Sequence, residues 1–153
     1  MSAKMVDVST KPEVFREARA RGCIRLRRET IERIVRGEID KGDVFTVSKV
    51  VAFESAKKTS LLLPFCHPVR IDHVSADIEI EGDKLCIEVT VRARERTGVE
   101  MEALTAVAIA LLNVWDMVKK YEKDEYGQYP HTEILSIRVL SKVKTISETS
   151  AST

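Results

Sequence analysis

The sequence predicts an α+β fold, with four strands in one antiparallel sheet and the helices packed on a single face. Three observations carry this prediction. Two neighbouring runs, Ile71 to Ile80 and Leu85 to Ala93, alternate apolar and polar residues with a turn between them. An Ala- and Leu-rich stretch, Val99 to about Glu122, reads as the strongest helix. The elements follow one another as β, α, β, β, α, β, the split βαβ order of the ferredoxin-like plait (βαββαβ).

Each element has a local reason. Val14 to Leu26 mixes Arg with apolar residues, shows no helical stripe, and reads as a strand or strand pair. Arg28 to Arg36 sets Ile31 and Ile34 at helical spacing, and Gly37 supplies a natural stop. Asp43 stands as an N-cap before a second periodic stretch through Val44, Val47 and Val51. Pro64 and Pro68 bracket PFCHP, which therefore lies outside any helix interior. Leu85, Ile87, Val89 and Val91 share one face of their strand, and Glu81-Gly82-Asp83 forms the hairpin turn before it. A polar stretch with Gly127 and Pro130 closes the long helix. Thr132 to Val143 then alternates through Ile134, Ser136 and Arg138 as the last strand. Apolar residues fall on both sides of the alternating strands, so the sheet face away from the helices needs cover. A homo-oligomer is the expected solution.

At 153 residues the chain fits one domain spanning 1–153, with residues 1–12 and 145–153 expected as flexible termini. Lys plus Arg (25) nearly balance Asp plus Glu (24), for a net charge of +1. That balance argues against the broad basic face of a nucleic-acid binder, so any anion site must gather its cations locally. The apolar run Ala103 to Trp115 falls short of the roughly 20 residues of a membrane span. The first ten residues have no apolar core of a signal peptide, and no membrane partner is expected. Cys23, Cys66 and Cys86 show neither CxxC spacing nor a paired framework, which predicts three unpaired thiols in a reducing cytoplasm.

Four polar islands set chemistry-bearing side chains beside Gly, Pro or a helix end: Lys41-Gly42-Asp43, Pro64 to Pro68, Thr97 to Glu102, and Trp115 to Lys119. Thr97-Gly98, opening the long helix, leaves free backbone N–H groups for an anion, although Glu100 and Glu102 also read as caps of that terminus. Asp116 and Lys119, three residues apart, are either a solvated ion pair or a lysine positioned for proton transfer. His67, held between two prolines, is either a satisfied histidine or a rigid hydrogen-bonding group for a phosphate or a ring. Cys66 and His67 are sequence neighbours and make a poor joint metal site, and no other Cys or His offers zinc spacing. Neither a metal nor a redox cofactor is expected, since no phosphate-binding glycine fingerprint is present either.

Together the islands resemble the MoaC family, the cyclic pyranopterin monophosphate synthases of molybdenum cofactor biosynthesis. The matching segments are MVDVS (Met5 to Ser9), KGDV (Lys41 to Val44), SAKKT (Ser55 to Thr59), LLPFCHP (Leu62 to Pro68), TGVEMEALTAV (Thr97 to Val107) and WDMVK (Trp115 to Lys119). They stand in the family's order across nearly the whole chain, and TGVEMEALTA is the most specific.

The resemblance implies that Asp116 is catalytic and that Lys41 and Lys119 are the essential lysines. It places Phe65, Cys66, His67, Met101 and Glu102 against the substrate, with Arg16 and Lys57 near its triphosphate. It further implies a hexamer built as a trimer of dimers, with sites at the dimer interface. The implied reaction converts the cyclic dihydro-GTP nucleotide to cyclic pyranopterin monophosphate and releases pyrophosphate. Two departures stand out. Trp115 and Val118 replace the more usual Tyr and Cys. The stretch from Ser141 to Ser147 lacks the family's Gly pair but keeps Lys142 and Lys144. A non-catalytic pterin or purine nucleotide-binding homologue, or a structural oligomer, would share the fold without the turnover.

Helix geometry bears on the interface independently. Glu102 and Asp116 are fourteen positions apart, about 21 Å along one helix. If both serve one compact substrate, they do so from different subunits.

Overall fold

The computed structural model describes residues 1–145, in the order β1 (Val14–Arg25), α1 (Arg28–Arg36), α2 (Val44–Lys57), α3 (Thr59–Leu62), β2 (His73–Glu81), β3 (Lys84–Glu95), α4 (Glu100–Glu122) and β4 (Glu133–Thr145). The four strands form one sheet in the order β2-β3-β1-β4, antiparallel throughout. This is the ferredoxin-like arrangement expected from the element order. Thr145 closes β4, and the rest of the expected flexible tail, residues 146–153, lies outside the described residues.

The local signals act as anticipated. Asp43 caps α2 by accepting from the Thr46 backbone N–H at 3.0 Å. Gly37, at φ 72°, ends α1 with its N–H bonded to the Ile34 carbonyl. The hairpin turns through Gly82 at φ 63°, a conformation that suits glycine. The segment from Pro64 to Pro68 runs outside the helices.

α4 lies across the sheet. Its buried Ala103, Ala106, Val107, Ala110, Leu111 and Val114 pack with Ala18, Ala20, Ile24, Ile87, Val89 and Val91 of the central strands. Gly22 lets the helix come this close. A Cβ there would stand 2.9 Å from both Val107 Cγ1 and Ile137 Cγ1 and 3.0 Å from Leu111 Cδ1. α4 has 23 residues, longer than the apolar run counted from the sequence, and it meets the length and apolarity of a membrane span. Its buried face nevertheless packs on this sheet, as a core helix does.

β4 departs from simple alternation. The register against β1 shifts between Arg21 and Cys23 and again between Arg19 and Ala20. Ser136 takes φ 58° at the first shift. These bulges reverse the side-chain parity, so Ile134 faces the helices beside Ile24 while Arg138 pairs with Arg21 on the far face. The second bulge returns Lys142 and Lys144 to the helix side, opposite Ala18 and Arg16.

Two expectations are corrected here. The far face of the sheet is not an apolar surface in need of cover. It is a lattice of cross-strand ion pairs, Arg19–Glu88, Arg92–Glu17, Arg21–Glu81 and Arg25–Glu133. Nor are the three cysteines all unpaired. Cys23 and Cys86 face each other across β1 and β3 and are joined in a disulfide, leaving only Cys66 free. The pairing brings together residues 63 apart in sequence, which no spacing motif announces. It also removes unpaired thiols as a reason to place the protein in a reducing compartment.

Candidate active site

The candidate residues gather at the two ends of α4. Near its C-terminal end, Asp116 receives two ammonium groups. Lys41 Nζ is 2.9 Å from Oδ2 and also donates to the Asp116 carbonyl at 3.2 Å, while Lys119 Nζ is 3.0 Å from Oδ1. Lys119 comes from the next turn of the same helix. Lys41 comes from the α1–α2 loop, which is clamped onto α4 by an Asp40–Lys120 ion pair and by the Asp40 backbone N–H donating to the Tyr121 hydroxyl at 3.1 Å. The hydrogen bond from Lys41, and then that from Lys119, holds the Asp116 carboxyl below the usual carboxylate range. All three side chains are open to solvent. The arrangement is a fixed carboxylate flanked by two proton-bearing amines.

At the N-terminal end of α4 lies a cleft of about 520 Å³, lined by Phe65, Cys66, His67, Gly98, Glu100 and Met101 and walled by the N-terminal segment through Lys4, Val6, Val8 and Lys11. Val99, the N-cap residue of α4, offers no side-chain cap. Glu102 is only 2% exposed and sits against Cys66, whose Sγ is 3.8 Å from its Oε2. Its Oε1 is buried with no hydrogen-bond partner among the described residues. Burial pushes the Glu102 carboxyl up to about 7, so it holds its proton near neutral pH. Burial, together with the neighbouring Glu102, pushes the Cys66 thiol up as well.

Glu100 pairs with Lys142 Nζ at 3.3 Å, and its Oε2 is buried without a hydrogen-bond partner among the described residues. Gly98 makes room for that carboxylate, since a Cβ at position 98 would fall 2.3 Å from Glu100 Oε2. Beside it a smaller cleft of about 120 Å³ gathers Arg16, Lys142 and Lys144 around Gly98. Arg16 is oriented there by donating to the carbonyls of Glu95 and Arg96, each at 3.3 Å. Three cations thus stand together beside a helix terminus, with Glu17 in the same lining.

The comparisons with known proteins decide the family. The model of the MoaC family matches residues 5–145. The chain belongs to the MoaC family. It is 59% identical over 140 residues to a probable cyclic pyranopterin monophosphate synthase of Sulfolobus acidocaldarius, covering 92% of this chain and 98% of that one. It is 57% identical to the protein of that name from Sulfurisphaera tokodaii, with 94% and 95% covered. A third such protein, from Methanosarcina acetivorans, is 52% identical with 93% and 90% covered.

Set against this MoaC-family framework, the residues singled out from sequence fall into two groups within one chain. Lys41, Asp116 and Lys119 form the first. Phe65, Cys66, His67 and Met101 line the second, with Glu102 behind Cys66 and Arg16 in the adjoining cleft. Lys57 lines neither cleft and stands exposed in the last turn of α2. Lys11 was missed, since it lies in a segment set aside as flexible. Glu100 had been read as a helix cap beside a possible anion site, and Lys142, noted from sequence for its charge, reaches Glu100 through the β4 bulges. For Lys11 a signal existed, because MVDVS in the same segment is part of the family resemblance. The only group of metal-type side chains found close together among the described residues, Cys23, Glu81 and Cys86, lies on the far face of the sheet, with its sulfurs bonded to each other.

Proposed function

We propose that this protein is a cyclic pyranopterin monophosphate synthase, a lyase that converts the cyclic dihydro-GTP nucleotide to cyclic pyranopterin monophosphate with loss of pyrophosphate. The observation that carries the reading is Asp116 bracketed by Lys41 and Lys119 at 2.9 and 3.0 Å. Rearranging a ring system needs proton-transfer groups at fixed positions, and ammonium groups beside a carboxylate supply them. Closing a cyclic phosphate with pyrophosphate as the leaving group builds negative charge, which Arg16, Lys142 and Lys144 are placed to neutralise. His67 and the protonated Glu102 offer hydrogen bonds to the ring system.

A complete site takes one end of α4 from each of two protomers, because Glu102 and Asp116 are about 21 Å apart along one helix. The outward face of α4 supports such an assembly. Met101 is 38% and Leu112 53% exposed, an apolar surface on a helix that already buries its other side. The family resemblance extends this reading to a hexamer made as a trimer of dimers. It also places the enzyme in the cytoplasm, a placement that now rests on the family's biosynthetic role rather than on unpaired thiols.

The test is incubation of the purified protein with the cyclic dihydro-GTP nucleotide, measuring pyrophosphate and the pterin product. Wild type should release both, while Asp116→Asn and Lys119→Ala should each lose about 10²-fold or more in rate. Full turnover by both variants would defeat the assigned roles. Tight binding without product by the wild type would instead select a non-catalytic homologue.

A further inference from the structure

The far face of the sheet holds a group that the proposed reaction does not use. Cys23 of β1 and Cys86 of β3 are direct cross-strand partners and are disulfide-bonded. The two sulfurs have opposite surroundings. Arg21 Nη1 lies 3.6 Å from Cys23 Sγ, and its Nη2 donates to Glu81 Oε1 at 2.8 Å. The other oxygen of Glu81 lies 3.7 Å from Cys86 Sγ. A guanidinium thus favours an anion on Cys23, while a carboxylate disfavours one on Cys86.

Access is unequal too. Both cysteines are nearly buried, at 5% and 2% exposed, yet Cys86 lines a cleft of about 300 Å³ together with Arg21, Asp77, Glu79 and Glu88. Thiol–disulfide exchange is an in-line displacement, so the attacking sulfur arrives opposite the one that leaves. For Cys86 that direction points toward β2, where Glu79 is its register partner and the cleft opens. For Cys23 it points toward β4, where Leu135 stands as its partner.

We propose that Cys23–Cys86 is a redox site with a fixed direction of attack, taking a small dithiol as its reductant. The dithiol's thiolate bonds to Cys86 Sγ, the Cys23–Cys86 bond breaks, and its electron pair leaves on Cys23 beside Arg21. The second thiol of the reductant then displaces Cys86. Each cysteine takes up a proton, and the reductant departs as its own disulfide, having passed two electrons to the protein.

The experiment stops this exchange half-way on the native full-length chain. 2-Mercaptoethanol opens the bond, N-ethylmaleimide caps the released thiol, and tryptic mapping reads residues 22–25 and 85–92 as separate peptides. The mixed disulfide is expected on Cys86 and the maleimide on Cys23, in about threefold excess or more over the reverse pattern. Equal or inverted labelling overturns the proposal. So does reduction that proceeds only when denaturant unfolds the chain. Arg21→Gln should slow opening several-fold and erode the bias, whereas Glu81→Gln, which strips the carboxylate facing Cys86, should speed it. The opposite response in a folded variant, judged by circular dichroism, also overturns it.

Discussion

Glu102 is a carboxyl group that stays protonated where an exposed one would be ionised. Its folded value of about 7 stands above the ordinary 4.5 because burial removes water that would solvate the anion. The native state therefore binds more protons than the unfolded chain between about pH 4.5 and 7. Stability from this group is intact below that window, declines as pH rises through it, and is lost above about 7, for a difference of about 3 kcal/mol. Glu102→Gln should accordingly unfold at nearly the wild-type denaturant midpoint at pH 5 and be the more stable protein at pH 8. The same variant should keep much of its turnover, because an amide still donates the hydrogen bond assigned to this position. A wild type whose stability is flat from pH 5 to 8, relative to the variant, would show that the carboxyl is ionised after all. Neither the burial of Glu102 nor its contact with Cys66 could be read from sequence. A glutamate in the first turn of a helix looks like a favourable charge at the dipole, and only the docking of residues 63–68 encloses it.

Among the elements, α1 depends on a residue that no helix-capping pattern reveals. Its N-cap position, Arg27, makes no side-chain cap. The carboxylate of Glu122, fully buried at the end of α4, accepts instead from the Arg27 backbone N–H at 3.0 Å, from Thr30 Oγ1 at 2.5 Å and from Thr132 Oγ1 at 2.7 Å. One side chain thereby joins α4, the start of α1 and the approach to β4. Glu122→Ala would strand a buried N–H and two hydroxyls, and should cost about 3 kcal/mol or more in urea unfolding, with Glu122→Gln intermediate. A change within about 0.5 kcal/mol would mean the cap is dispensable. The elements themselves were largely legible. Period-2 and period-3.6 patterns, Asp43, Gly37 and the Gly82 turn each act locally, and each sits where expected. The β4 bulges were not legible, because they answer to the space over Gly22 that α4 and Ile137 fill, a demand made by residues far away in sequence.

For the molecule as a whole, the placement of both chemical groups on one helix sets the sharpest expectation. Glu102→Ala and Asp116→Ala protomers, each inactive alone, should recover about a quarter of wild-type activity after mixing and random reassembly, since each mixed dimer would retain one intact site. No recovery, with exchange of protomers verified by mass spectrometry, would place the whole site within one chain. The two groups of candidate residues could be named from the family resemblance, and their separation along α4 followed from helix rise alone. The disulfide and the charged far face could not be foreseen in the same way. Both are set by the register of β1 against β3, in which a one-residue slip would exchange every inward side chain for an outward one.

The proposed assembly, with half of a site at each end of one helix, would tie turnover to mass action. Diluting the protein below its self-association constant should silence it without unfolding a single chain. Substrate bridging two protomers should hold them together, so each nucleotide bound would recruit part of the machinery that consumes it.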